Sequence, residues 1–141
     1  MRVKYEDMVN EFKRVLAKYG FTEENAADAA GIFAQNSLAG VYSHGLNRFP
    51  RVIEYLKKGE IDPQVTAGCE MAMGAFERWN GHRGFGPLNA KKAMDRAVEL
   101  AKQYGIGVVA LRKLWMAGSR PGLHRNLLVQ HTAQHACMGR R

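Results

Sequence analysis

The sequence predicts an α+β fold in which helices come first and a later helix leads into a buried strand. Three observations carry this prediction. Apolar residues recur at helical spacing over residues 5–58 and again over 88–104. Between these stretches, residues 61–86 lose the helical period and contain turn signals. The segment 106–111 (Ile-Gly-Val-Val-Ala-Leu) is continuously apolar, which is typical of a strand buried on both faces.

The first three helices have apolar faces and recognisable ends. Their predicted ranges are 5–19, 26–39 and 47–58. Gly20 ends the first helix, and Thr22 offers an N-cap hydroxyl to the alanine-rich second helix. Pro50 falls in the first turn of the third helix, where a missing N–H does no harm. The sequence therefore predicts a helical N-terminal half.

The fourth helix and the strands occupy the stretch that follows. Gly105 ends the helix, whose predicted apolar face consists of Leu88, Met94, Ala97, Val98 and Ala101. One short strand is predicted within residues 71–79, because turn signals flank this segment at Asp62-Pro63 and Asn80-Gly81.

Composition and charge exclude several classes of protein. Hydrophobic residues make up 46% of the chain and charged residues 24%, which excludes a wholly disordered chain. No apolar run approaches the ~20 residues that cross a bilayer. The net charge of +8 is uneven: residues 1–112 carry +3, whereas residues 113–141 carry +5 without an acidic residue. This basic tail keeps nucleic-acid binding as an alternative, but it shows no helical period or interleaved aromatic residues.

The segment 40–50 (Gly-Val-Tyr-Ser-His-Gly-Leu-Asn-Arg-Phe-Pro) has the chemistry of a candidate site. His44 lies among polar residues and glycines, which argues against a packing role in the core. If a helix begins near His44, Arg48 lies on the same helical face. Arginine can hold a carboxylate through two hydrogen bonds, and histidine can give a proton to a carbonyl oxygen that becomes an alcohol. On spacing alone, a structural pair is the favoured interpretation.

Other candidate sites are weaker. The stretch 80–87 (Asn-Gly-His-Arg-Gly-Phe-Gly-Pro) superficially resembles a phosphate-binding loop. It lacks the glycine order and the strand-to-helix frame of a dinucleotide fingerprint, so we interpret it as a structural turn. Cys69 and Cys137 form no Cys-x-x-Cys pair, and no metal site is predicted.

Five stretches together resemble the malate/L-lactate dehydrogenase-like oxidoreductases. They are residues 40–51, 59–63, 76–81, 90–97 and 105–112. The motif Ser-His-Gly-x-Asn-Arg-Phe-Pro within the first stretch is specific. The resemblance covers residues 1–112. It implies a non-Rossmann NAD(P)-dependent fold, of which this chain would hold the helical substrate-side segment and the start of the α/β core.

The resemblance also implies an activity. Family members are cytoplasmic, homodimeric enzymes that reduce the carbonyl of a 2-oxo or 2,3-diketo acid with NAD(P)H; a malate- or lactate-type 2-hydroxy acid dehydrogenase is the alternative. His44 matches the family's proton donor, and Arg48 matches a substrate-binding arginine. Family chains are longer, and their cofactor-binding segments lie beyond the matching part. We therefore assign no cofactor-binding residue here, and we expect little or no activity from this truncated chain.

After Arg112 the sequence departs from the family pattern. Trp and Met each have one codon, so Trp115-Met116-Ala117 reads TGG-ATG-GCN and, shifted by one nucleotide, contains Gly-Trp. The same shift permits a family-like Thr-Cys-Trp-Ser-Asn-Thr in place of residues 126–131, and it forces a second tryptophan at Cys137-Met138-Gly139. We therefore expect residues 113–141 to be an out-of-frame translation whose basic charge follows from codon content.

Overall fold

The computed structural model of the chain describes residues 3–112 and the strand 127–132. The first part is helical, with α1 (Tyr5–Lys18), α2 (Glu23–Leu38), a 3-10 turn (Leu46–Arg48) and α3 (Phe49–Lys57). The second part mixes strands with one helix, in the order β1 (Gly68–Met73), β2 (Phe76–Asn80), α4 (Gly86–Tyr104), β3 (Ile106–Arg112) and β4 (Leu127–Thr132). The predicted α+β class and all four helices are confirmed.

The four strands form one sheet in the order β1-β2-β3-β4. Strands β1 and β2 are antiparallel, whereas β2 and β3 run parallel, with α4 as the connection between them. Strand β4 pairs antiparallel with the other edge of β3 and places Val129 opposite Val109. The remainder of residues 113–141, including Trp115 and Cys137, lies outside the described residues.

Phenylalanine side chains hold the helical part together. The ring centroids of Phe12 and Phe49 are 4.3 Å apart, and Phe33 meets Phe49 edge-on at 5.2 Å. Phe85, which precedes α4, lies 6.1 Å from Phe33. Aromatic pairs at these separations add to the stabilisation from apolar burial. The cluster therefore fixes the start of α3 against α1 and α2, directly after the segment that contains His44.

A second, smaller core lies between α4 and the sheet. Ala93, Ala97 and Leu100 of α4 pack against Val109 and Leu111 of β3, and all five are buried. Gly107 permits this close approach, because a Cβ there would lie 2.0 Å from the carbonyl oxygen of Ala97. Small residues on both elements thus set the distance between helix and sheet.

The structure corrects two predictions about the strands. The single strand predicted within 71–79 is a hairpin of β1 and β2, because Gly74 adopts a left-handed φ of +54° and reverses the chain. The strand predicted over 106–111 exists but is not buried on both faces. Val109 and Leu111 are buried, whereas Val108 and Ala110 on the opposite face remain half-buried and Ile106 is exposed.

One buried carboxylate joins the sheet to α4. Glu77 of β2 is only 5% exposed. Arg96 donates to its Oε1 from Nε at 3.0 Å and from Nη2 at 2.7 Å, and the indole N–H of Trp79 donates to Oε2 at 2.8 Å. The hydrogen bonds from Arg96, followed by the one from Trp79, lower the pKa of Glu77 against the opposing effect of burial. Glu77 is therefore charged at neutral pH, and both of its carboxylate oxygens accept hydrogen bonds.

Candidate active site

The segment with His44 is a compact turn that leaves the end of α2. Gly40 adopts a φ of +78°, and the N–H of Val41 donates to the carbonyl of Asn36 at 2.8 Å, which folds the chain back on the helix. The N–H of His44 then donates to the carbonyl of Val41 at 3.0 Å. His44 therefore lies in a turn.

The helix predicted from residue 47 is present, preceded by the 3-10 turn Leu46–Arg48, and no helix begins near His44. Gly45 has a φ of −99° and a ψ of −128°, far from helical values, so helical geometry starts only at Leu46. His44 and Arg48 consequently share one short turn and the 3-10 turn that follows it, but not one face of an α-helix. Their proximity along the chain comes from the turn, not from helical periodicity.

Ser37 anchors this turn to α2. Its buried hydroxyl donates to the carbonyl of Phe33 at 2.9 Å and accepts from the N–H of Leu46 at 2.9 Å. Gly45 lies directly against Ser37, because a Cβ at Gly45 would come within 2.3 Å of the Ser37 Oγ and 2.8 Å of its backbone nitrogen. This contact was not predicted from the sequence. The only indication of it in the sequence is a serine four residues after Phe33, in a helix of small apolar residues.

The two predicted site residues differ in their surroundings. His44 is exposed, and its Nδ1 lies 3.0 Å from the hydroxyl of Ser43. Arg48 is half-buried at the end of the 3-10 turn, immediately before Phe49 of the aromatic cluster. The core therefore fixes the backbone of Arg48, while the imidazole of His44 reaches solvent.

Apolar side chains surround the turn. Leu38 is 69% exposed and Tyr42 60% exposed, and Val41 and Leu46 are exposed as well. These four exposed apolar side chains lie within nine consecutive residues around the turn. The turn thus combines a titratable ring and a cation with a locally apolar surface.

The stretch 80–87 is a structural turn, as predicted. The N–H of His82 donates to the side-chain oxygen of Asn80 at 3.0 Å, and the N–H of Gly84 donates to the carbonyl of Gly81 at 3.0 Å. Asn89, buried at the start of α4, also donates to that carbonyl at 3.1 Å. These N–H groups are already satisfied, whereas a phosphate-binding loop presents such groups to its ligand.

A cleft of about 200 Å³ lies between the first halves of α2 and α4, away from the His44 turn. Lys91 crosses it and pairs with Asp28 at 3.1 Å and with Asp95 at 3.6 Å. Asp28 is the main reason that the pKa of Lys91 is raised. Three of the charged groups that line this cleft, Lys91, Asp28 and Asp95, are therefore engaged with one another.

The part of the chain that the structure describes contains no group of three or more His, Cys, Asp or Glu side chains placed to hold a metal ion. None of its helices combines the length and the apolar character needed to cross a membrane.

Comparison with known proteins identifies the family. The sequence profile of the malate/L-lactate dehydrogenase family matches residues 3–122. The chain therefore belongs to the malate/L-lactate dehydrogenase family, a class of dehydrogenases and reductases.

Curated relatives within this family carry a more specific name. The 2,3-diketo-L-gulonate reductase of Haemophilus influenzae is 48% identical over 124 residues, and the enzyme of the same name from Salmonella typhimurium is 45% identical over the same length. Each alignment covers 86% of this chain but 37% of the relative. The chain thus spans little more than a third of the length of these relatives.

Solved structures show the same partial coverage. The sulfolactate dehydrogenase of Methanocaldococcus jannaschii superposes with a TM-score of 0.77 at 38% identity, over 79% of this chain and 33% of that one. The malate dehydrogenase of Pyrococcus horikoshii superposes with a TM-score of 0.80 at 28% identity, over 84% of this chain and 34% of that one. The described fold is therefore part of a larger family architecture.

Proposed function

We propose that residues 1–112 form the substrate-side part of a reductase that acts on a 2-oxo or 2,3-diketo acid. His44 gives a proton to the substrate carbonyl, and Arg48 holds the substrate carboxylate. The observation that supports the proposal is the anchored turn, which holds the exposed His44 four residues before the half-buried Arg48, in a chain that belongs to a family of dehydrogenases and reductases.

The chemistry requires two contributions at the substrate. Reduction of a ketone adds a hydride to the carbonyl carbon and a proton to the carbonyl oxygen, so the oxygen gains negative charge as the hydride arrives. An imidazole that donates its proton to this oxygen stabilises the transition state; such general acid catalysis contributes roughly 10²–10⁴-fold in rate. A guanidinium that binds the neighbouring carboxylate through two hydrogen bonds fixes the carbonyl in position.

Neither the cleft between α2 and α4 nor the turn at residues 80–87 offers a site for a nicotinamide dinucleotide. The cleft of about 200 Å³ is smaller than the roughly 300–1,000 Å³ of typical ligand pockets. In the turn, the backbone N–H groups of Gly81, His82 and Gly84 are engaged within the protein. We therefore assign no cofactor contact and no hydride-transfer step to residues 3–112.

Two substrate types follow from the names of the relatives. The curated relatives are named for 2,3-diketo-L-gulonate, and solved structures of similar fold are named malate and sulfolactate dehydrogenases. His44 and Arg48 address only the 2-oxo acid end, which all these substrates share in their oxidised forms. The higher identity to the reductases favours the diketo acid.

The first prediction tests this proposal in a complete enzyme. Residues 1–112 of this chain replace the corresponding segment of the Haemophilus influenzae reductase, and NADH oxidation is followed with 2,3-diketo-L-gulonate and, separately, with oxaloacetate. We expect the hybrid to be active, and we expect His44→Ala to lower kcat by about 10²–10⁴-fold because the proton donor is lost. Arg48→Ala should act mainly by raising KM.

Matched variants accompany these measurements. His82→Ala removes an exposed histidine of the 80–87 turn, and Arg51→Ala removes an exposed arginine of α3, three residues after Arg48. Both should leave kcat and KM within about twofold of the unmodified hybrid. An active hybrid whose kcat is unaffected by His44→Ala contradicts the proposed role, as does NADH oxidation by the isolated chain that survives His44→Ala.

A further inference from the structure

A cluster of charged side chains lies on the sheet face opposite α4, where β2 and β3 end. At its centre, Oε1 of Glu70 accepts from Nη2 of Arg112 at 2.8 Å and from Nδ2 of Asn80 at 2.9 Å. The other oxygen, Oε2, lies 2.8 Å from Nε of Arg112 and 3.7 Å from Nε of Arg78. We propose that Arg78 and Arg112 form a binding site for a phosphate group, with Glu70 holding Arg112 in place.

Glu70 reaches both arginines because of a bulge in β1. The register of β1 with β2 shifts between Cys69 and Met71, so Glu70 has no partner in that register. Bulges of this kind redirect a side chain and are frequent next to functional sites. Here the bulge lets the Glu70 carboxylate extend across β2 to Arg112 of β3.

The cluster lies at the carboxyl ends of two parallel strands. Asn80 of β2 and Arg112 of β3 form the last pair in their register, and Arg78 shares their face because side chains alternate along a strand. Val109 and Leu111 pack against α4 from the other face. In open α/β sheets, ligands bind outside the carboxyl ends of the strands.

The charges of the cluster do not cancel. Two guanidinium groups share the carboxylate of Glu70, which leaves one positive charge in excess. The side chains of Arg78 and Arg112 are 48% and 43% exposed, so an anion can reach both. Among the described residues, Nη1 of Arg112 and both terminal nitrogens of Arg78 have no hydrogen-bond partner. A phosphate group carries up to two negative charges and three acceptor oxygens, which suit two guanidinium groups at once.

The second prediction tests this site and requires no catalysis. The ¹⁵N-labelled 141-residue chain is titrated with inorganic phosphate at constant ionic strength, and the Nε–Hε signals of its arginines are followed by NMR. Arg78→Gln and Arg112→Gln assign the two signals, and we expect both to shift with one dissociation constant. Arg78→Gln should raise the constant read at Arg112 by about tenfold or more, because the anion loses a charged hydrogen-bond donor. Glu70→Gln should lower it, since the amide oxygen still accepts from Arg112 but no longer competes with the anion for positive charge.

A matched variant separates the site from the positive charge of the chain as a whole. Arg51→Gln removes one charge from the exposed surface of α3 and should leave the dissociation constant unchanged. Circular dichroism checks that each variant keeps the wild-type fold. The proposal is overturned by phosphate shifts of equal size at all arginines, by a constant that Arg78→Gln leaves unchanged, or by one that Glu70→Gln does not lower.

A second titration, with glycerol 3-phosphate, distinguishes free phosphate from the phosphate group of a small organic molecule. Tighter binding of the ester supports a phosphorylated organic ligand, whereas equal or weaker binding supports inorganic phosphate. Neither titration depends on His44, so the phosphate site and the proposed function succeed or fail independently.

Discussion

The position of His44 depends on the contact between Gly45 and Ser37. Ser37 satisfies the N–H of Leu46 through a buried hydroxyl, and the absence of a side chain at Gly45 lets the turn lie on the helix. Because these groups touch at the distance of direct contact, the turn cannot move away from α2 without losing that hydrogen bond. The geometry of the candidate site is thus set by two residues that contact no substrate.

The third prediction follows at the same scale. Gly45→Ala places a Cβ within 2.3 Å of the Ser37 Oγ, so the turn must shift from α2. Overpacking of this kind costs about 1–3 kcal/mol, and urea denaturation should show this loss. Gly31→Ala is the control, since Gly31 lies on the same helix with nothing within 4 Å of its Cβ position and should gain roughly 0.5–1 kcal/mol. Equal stability of the two variants would contradict the described contact.

Sequence patterns indicate the candidate site residues, His44 and Arg48, but not the contacts that hold their turn in place. His44 and Arg48 stand out because their side chains carry distinctive chemistry in a glycine-flanked motif. Ser37 and Gly45 do not, because their importance arises only when the chain folds back on α2. A shared helical face for His44 and Arg48 required a helix that begins near His44, and the backbone of Gly45 prevents this.

Between elements, Glu77 and Arg96 join β2 to α4 across the smaller core. The carboxylate is 6% exposed at its side chain, whereas the guanidinium is 39% exposed. Arg96 also bonds Glu99 at 2.8 Å, but that carboxylate is 63% exposed. Arg96 therefore pairs with one buried and one exposed carboxylate, so the contributions of the two ion pairs to stability can be compared directly.

The fourth prediction uses this comparison. Because the pKa of Glu77 is lowered in the folded chain, its contribution to stability is complete above its unfolded pKa of about 4.3 and is lost as the pH falls through the lower folded pKa. Glu77→Gln should cost about 1.5–3 kcal/mol at pH 7, the value of hydrogen bonds to a charged group. The difference from wild type should shrink below about pH 4.

Denaturant titrations at several pH values check both statements. Glu99→Gln removes the exposed partner of the same arginine and should cost less than about 1 kcal/mol. If Glu77→Gln and Glu99→Gln have equal effects at pH 7, burial does not strengthen the Glu77 interaction in the way described.

The periodicity of apolar residues predicted the positions of the helices better than it predicted which of their side chains are buried. The helix over 86–104 was recognisable from its apolar spacing and from Gly105, but Met94 of its predicted face is exposed. Ala97 and Ala101 of the predicted face are buried, and Ala93, which was not predicted, joins them, because Gly107 brings β3 close to this side of the helix. Which side chains of a helix are buried depends on the distance to the neighbouring strand, and the sequence of the helix alone does not determine that distance.

At the scale of the whole molecule, length and charge distribution separate residues 1–112 from the remainder. The chain covers 37% of the H. influenzae relative, and the family match continues past Arg112 to residue 122. The basic residues after 112 have no acidic counterparts. Strand β4, which lies after residue 112, pairs with β3. Strand pairing depends mainly on backbone hydrogen bonds, so the unpaired edge of a sheet can pair with segments of many different sequences. Pairing alone therefore does not show that residues 127–132 were selected for this place.

The fifth prediction is that the coding DNA, read one nucleotide later after codon 112, continues as a sequence of the malate/L-lactate dehydrogenase family. The Met116 codon followed by the GCN codon of Ala117 already places a tryptophan in that frame, and the Met138 codon followed by the GGN codon of Gly139 places a second. A random shifted frame soon meets a stop codon and retains no family pattern, so a long family-like continuation has no other simple source. Sequencing the gene past codon 112 decides the matter. A shifted frame that stops early or encodes no family sequence contradicts the out-of-frame hypothesis, and the basic residues after 112 would then require an explanation in terms of their own function.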